Sequence, residues 1–142
     1  MQVKELMQKD VVTVSPEETT ALAARLLARH NVGALPVTGA DGKLRGIVTD
    51  RDIVLRCIAQ GGDPKATPIR AVMTRDPVTV APTDTVEHAA AVMAAARVRR
   101  LPVMENGRPT GMLALGDLAV RPSCDAEASR ALTEISSNLQ KR

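Results

Sequence analysis

Two short stretches carry residue types that could recognise a small anion. The first is Gly46-Ile47-Val48-Thr49-Asp50-Arg51-Asp52. It reads as a strand running into a helix, with Thr49 or Asp50 as the cap. The first turn of such a helix offers backbone N–H groups and the positive end of a dipole, which suit phosphate. Asp52 can accept from two hydroxyls, as a ribose diol would require. The same Thr-x-x-Asp spacing also makes a capping pair that needs no ligand, and the residues alone leave both readings open. The second stretch is Arg97-Val98-Arg99-Arg100, directly ahead of Leu101-Pro102-Val103. Three guanidinium groups in four positions either form a solvated face or supply forked donors to phosphate. His30 and His88 lack metal-ligand spacing, and there is no nucleophile elbow, phosphate loop or dinucleotide loop. The chain is therefore expected to have no catalytic residues and no metal site.

The elements that must hold these stretches come in two copies. Displaced by 66 residues, Met7–Pro16 lies over Met73–Pro82, and Leu35-Pro36-Val37 over Leu101-Pro102-Val103. With one residue lost, Gly42, Gly46 and Asp52 then meet Gly107, Gly111 and Asp117. Each copy reads as a helical turn, a short extended piece (Val11–Val14, Val78–Val80), and a helix opened by Glu17/Glu18 or Asp84. Two strands follow, Ala34–Thr38 with Leu44–Thr49 and Arg100–Met104 with Thr110–Ala114, joined by Asp-Gly or Asn-Gly hairpin turns. A closing helix ends each copy, Arg51–Ala59 and Gly116–Val120. Gly61–Pro68 reads as a linker. After Pro122, Ser123 is a candidate cap for a last helix with Leu132, Ile135 and Leu139 on one stripe. The expected boundaries are 1–61 for repeat 1, 62–68 for the linker, 69–121 for repeat 2 and 122–142 for the tail.

Composition narrows the setting. The chain has 142 residues and no Phe, Tyr or Trp, so its core must be aliphatic. The missing aromatic rings count against single-strand and RNA readers, which stack bases on them. Net charge is only +3, yet Arg outnumbers Lys 14 to 5, which favours a local anion site over a broad nucleic-acid face. No apolar run is long enough to span a membrane, and the N-terminus has no secretion-signal pattern. Cys57 and Cys124 lack a CxxC spacing, and Cys57 reads as a buried small hydrophobe. Together these point to the cytoplasm.

The doubled order of Leu35-Pro36-Val37 and Gly46–Asp52, echoed by Leu101-Pro102-Val103 and Gly111–Asp117, resembles a tandem cystathionine-β-synthase (CBS) domain pair, or Bateman module. The resemblance spans about residues 2–121 and is similar to the stand-alone bacterial pairs. It implies an α+β fold, two β-α-β-β-α repeats packed sheet to sheet with pseudo-twofold symmetry, plus the C-terminal helical tail. It implies a regulatory module, not an enzyme, that needs no cofactor and binds an adenosine-containing ligand of the AMP, ADP or ATP class in the cleft between repeats. In a first site, Thr49 and Asp52 would hold ribose and phosphate, Arg99 and Arg100 of the opposite repeat the phosphates, and Asp76, Pro77 and Val78 the base. A weaker second site would use Asp117 with Asp10, Val11, Val12, Gly33 and Ala34, with Ala114 where a hydroxyl is expected and no cation opposite. The expected partners are a second copy, docked through the helices, and an unidentified protein. The alternatives are a ligand-free dimeric scaffold, or a nucleic-acid binder using the Arg97–Arg100 cluster.

Overall fold

The computed structural model describes residues 1–119 and 125–140. The chain divides into two compact units, Val11–Pro77 and Met1–Asp10 with Val78–Arg142. The packing units therefore do not follow the sequence repeats. The first ten residues belong with the second repeat, and residues 62–77 belong with the first.

In the Val11–Pro77 unit, helix α1 (Thr20–His30) is followed by strands β1 (Ala34–Thr38) and β2 (Leu44–Thr49), then α2 (Asp50–Ile53). α2 continues as a π-helical turn, Val54–Ile58, in which Ala59 N–H donates to the Val54 carbonyl at 2.8 Å. The expected helix Arg51–Ala59 is thus one α-turn and one π-turn. Arg56 Nη1 donates to the Val72 and Met73 carbonyls at 3.1 and 3.0 Å, tying this turn to the segment leading into β3 (Thr74–Arg75). β3 adds antiparallel to β2, giving the order β1-β2-β3. Close approach makes Gly46 necessary there. A Cβ on it would lie 2.6 Å from the Thr74 carbonyl oxygen. The core gathers Val14, Ala23, Leu27, Leu35, Val37 and Val48 around Cys57 and Ile69, so Cys57 is buried as a free thiol. The expected linker is fastened to its own unit. Thr20, fully buried, donates both N–H and Oγ1 to the Thr67 carbonyl at 2.9 and 2.8 Å.

The second unit repeats the plan with α3 (Val86–Ala96), β4 (Arg100–Glu105), β5 (Arg108–Ala114) and α4 (Leu115–Ala119), and adds α5 (Asp125–Gln140). Here the missing edge is supplied by the N-terminal segment. Gln8 bridges Met112, and Val3 N–H donates to the Asp84 carbonyl at 2.9 Å. Val3 packs with Val86, Met93, Leu101, Leu113 and Leu118 in an aliphatic core.

Several local expectations change. α1 and α3 open later than the acids suggest, with Thr19 and Thr85 as N-caps. Glu18 and Asp84 instead accept from the Ser15 and Ala81 N–H groups at 2.7 and 2.8 Å, closing the preceding loop. The extended pieces before those helices form only single bridges, Val14 to Val37 and Val80 to Val103. The hairpins also differ. Asn106 and Gly107 both have positive φ, as a two-residue type I′ turn demands. In the first hairpin only Gly42 does, and Gly42 N–H closes on the Gly39 carbonyl at 2.9 Å in a longer loop. In α5 the inward face is Ala128, Ala131 and Ile135, while Leu132 is exposed. The expected stripe through Leu132 is therefore rotated, because alanines permit close approach to α3 and α4. Ser123, Cys124 and the Leu139 side chain lie outside the described residues.

Candidate ligand-binding corners

The first corner is where β2 meets α2. Thr49 Oγ1 accepts from Asp52 N–H at 3.0 Å, and Asp52 Oδ2 accepts from Thr49 N–H at 3.0 Å. This is the reciprocal capping pair that the spacing allows. Asp52 Oδ1 takes a longer bond from Thr74 Oγ1, at 3.4 Å. Asp52 is only 8% exposed, so its carboxylate is committed to holding the turn, with spare acceptor capacity at Oδ1. Gly33 and Ala34 stand at this same corner. Ala34 is the ladder partner of Thr49, and the Gly33 carbonyl accepts from Asp50 N–H at 3.2 Å. Asp76 follows β3 in a left-handed conformation, φ 49°, immediately before Pro77. A residue preceding proline is normally extended, so this backbone is strained. Val11 and Val12, in the same unit, are half-buried, and Val12 packs against its core.

The second corner is where β5 meets α4. Asp117 Oδ2 accepts from Ala114 N–H at 2.8 Å, but Ala114 has no hydroxyl to return the bond. The turn is held by half of the pair, supplemented by Leu115 N–H donating to the Arg99 carbonyl at 2.8 Å. Arg100 is the ladder partner of Ala114. Arg99 is exposed and Arg100 half-buried, and neither is within salt-bridge distance of a carboxylate among the described residues. Both line a cleft of about 500 Å³ together with the 114–116 turn. Asp10 and Val78 belong to this unit, and both are exposed.

Within one unit, then, neighbours along the strand ladder are what the structure places beside each corner. Gly33 and Ala34 flank Thr49, and Arg99 and Arg100 flank Ala114. The second corner has two cations on its own strand end. Thr74 was missed as a partner of Asp52, although it stands two residues before Asp76. The side chains of α5 that line the cleft gave no signal in the sequence beyond helical periodicity. Among the described residues, no three His, Cys, Asp or Glu side chains converge as a metal site would need, and no helix is long and apolar enough to cross a membrane.

Two repeats, each with a strand pair and an Asp-held corner, define a tandem module of one domain type. The CBS domain model matches residues 3–58 and 69–122, and the chain belongs to this family. It is 46% identical over 134 residues to the CBS domain-containing protein YhcV of Bacillus subtilis (strain 168), covering 94% of each chain. Among solved structures, the CBS domain pair of protein MJ0100, in complex with 5′-methylthioadenosine and S-adenosyl-L-methionine, is similar at TM-score 0.77 and 29% identity, covering 84% of this chain and 98% of that one. The hexameric CBS-CP12 protein from bloom-forming cyanobacteria is similar at TM-score 0.80 and 30% identity, covering 89% of this chain and 74% of that one.

Proposed function

We propose that this protein is a regulatory, non-catalytic ligand sensor that binds an adenosine-containing nucleotide of the AMP, ADP or ATP class and acts in the cytoplasm without a cofactor. The observation that carries the proposal is the pair of guanidinium groups, Arg99 and Arg100, lining a cleft beside a family corner with no carboxylate paired to them among the described residues. Forked, uncompensated donors suit a phosphate. At the first corner, Thr49 and Oδ1 of Asp52 offer hydroxyl-binding chemistry suited to ribose. With no aromatic ring in the chain, adenine would be gripped by aliphatic side chains and main-chain groups such as those at 76–78 and 10–12. The adenosyl compounds held by the MJ0100 pair support the ligand class. Regulation would follow from a difference in nucleotide affinity between two arrangements of the protein or its partner.

The chain has no Trp or Tyr, so co-purified nucleotide would dominate its absorbance near 260 nm. Calorimetric titration with AMP, ADP and ATP is expected to show saturable binding to at least one of them. Asp52→Ala or Arg100→Ala should weaken it about tenfold or more, the value of one charge-assisted hydrogen bond. Unchanged affinity in both variants would refute the corner assignment. A steep salt dependence of duplex DNA binding with no nucleotide binding would favour the Arg97–Arg100 cluster as a nucleic-acid face instead.

The proposal includes a homodimer. Val54, Leu55 and Ile58 are all exposed on one π-helical turn, an apolar patch that a second copy would cover. Light scattering is expected to give twice the chain mass, and the chain mass for Leu55→Asp/Ile58→Asp.

A further inference from the structure

We infer that α5, which lies beyond the family match, forms part of the ligand-binding surface, with Ser129 and Leu132 as specificity-determining residues for a nucleoside phosphate at the second corner. The inference rests on the nucleotide reading above and adds to it the helix that the reading leaves idle.

Three observations carry it. First, the cleft of about 500 Å³ that holds Arg99 and Arg100 is closed on another side by Ala128, Ser129 and Leu132 of α5. That volume lies in the range of small-molecule sites. Second, the rotation of α5 is fixed. Ala128, Ala131 and Ile135 are buried at i, i+3 and i+7, and α5 packs on α3 and α4. From Ala128, Leu132 lies about 40° and Ser129 about 100° around the helix, on one flank. Their place on the cleft wall is therefore a consequence of the buried face and not of a free rotor. Third, the wall chemistry is divided. Two cations stand at the start of β4, whereas Ala119, Ala128 and a Leu132 that is 44% exposed offer an apolar surface. A leucine left that open in an aliphatic protein is suited to the apolar face of a ligand whose charged end meets the arginines. Inorganic phosphate would satisfy only the cationic half, but a nucleoside phosphate satisfies both. Ser129 is exposed and places a hydroxyl on the same wall, within the class of groups that read a sugar or a phosphate oxygen.

The test uses the full chain and two exposed positions, so folding is not at stake. In Leu132→Trp the new indole is the protein's sole strong fluorophore. AMP is expected to shift or quench its emission saturably, at the concentrations that saturate calorimetric binding, and inorganic phosphate is expected to leave it unchanged. Ser129→Glu places a carboxylate across from the arginines and should weaken AMP binding about tenfold or more. Ser129→Ala should weaken it less, and both should melt as the parent does. If AMP binds the parent chain but the indole emission stays constant and Ser129→Glu binds as tightly, α5 is not part of the site and the nucleotide reading stands without it. If the parent chain binds none of AMP, ADP and ATP, both fall.

Discussion

The two corners occupy matching positions of one repeat and are equipped in opposite ways. Asp52 and Asp117 do the same job, accepting the N–H three residues back and so closing the strand-to-helix turn. What surrounds them differs. The first corner has a hydroxyl at Thr49 and small neutral residues, Gly33 and Ala34, beside it. The second has Ala114 in place of the hydroxyl and two arginines in place of the small residues. The aspartate that is the same in both copies is the one the backbone turn needs, and the residues that differ lie on the strand ends beside it. The comparison separates architecture from chemistry without any second sequence. An aspartate at this corner is first a structural cap, and the charge and hydroxyl content of the corner is set by its neighbours.

The comparison can be broken most strongly at the glycines opposite the added edge segments. Gly46→Ala would drive a Cβ to 2.6 Å from the Thr74 carbonyl oxygen, a rigid backbone atom. Gly111→Ala meets first the Met7 sulfur, at 2.5 Å, on a side chain that can swing, although the Gln8 carbonyl oxygen lies at 3.0 Å. Denaturant melts should show a loss of about 2–3 kcal/mol for Gly46→Ala and a smaller one for Gly111→Ala. Equal losses would mean that the two edges are equally rigid. A smaller effect is expected from exchanging the caps. Thr49→Ala gives the first corner the half-pair of the second and should cost about 1 kcal/mol. Ala114→Thr completes the pair at the second corner and should stabilise by a comparable or smaller amount, read in the same melts. The least effect is expected in the hairpins. Asp41 has its carboxyl held below the ordinary range, chiefly by the Lys43 backbone N–H and then by the Arg45 guanidinium. Because its folded pKa is depressed, its contribution is present above the unfolded value and is lost as pH falls through the folded one. Asp41→Asn, which copies Asn106 of the second hairpin, should therefore melt slightly lower than the parent near neutral pH and converge with it in acid.

Much of this was legible in the residues, and the rest has physical reasons for being hidden. Pro, Gly and Asp at matched offsets exposed the duplication, because each marks a backbone demand that recurs. The strand pairs were readable from their apolar runs and the turn residues between them. The division into packing units was not, because the docking of Met1–Asp10 beside β5 is a choice made through space, and no local pattern records it. The inward face of α5 was hidden for a different reason. Leu132 and Ile135 look like the apolar stripe, but a helix seated closely on two others uses its alanines, and Leu132 is left outside. The arginines were visible in the sequence, but their neighbour within the unit was not, since the partner of Arg100 on the ladder, Ala114, is set by the register of β4 against β5.

The placement of the first ten residues also bears on the order in which the protein can mature. Val3 and Gln8 find their backbone partners at Asp84 and Met112, 81 and 104 residues downstream. At a ribosome adding about 5–20 residues each second, this leading strip waits for several seconds with nothing to pair with. Meanwhile Val11–Pro77 already contains every strand of its own sheet. The sheet of the second unit is thus completed by a segment that is synthesised before the whole of the first unit.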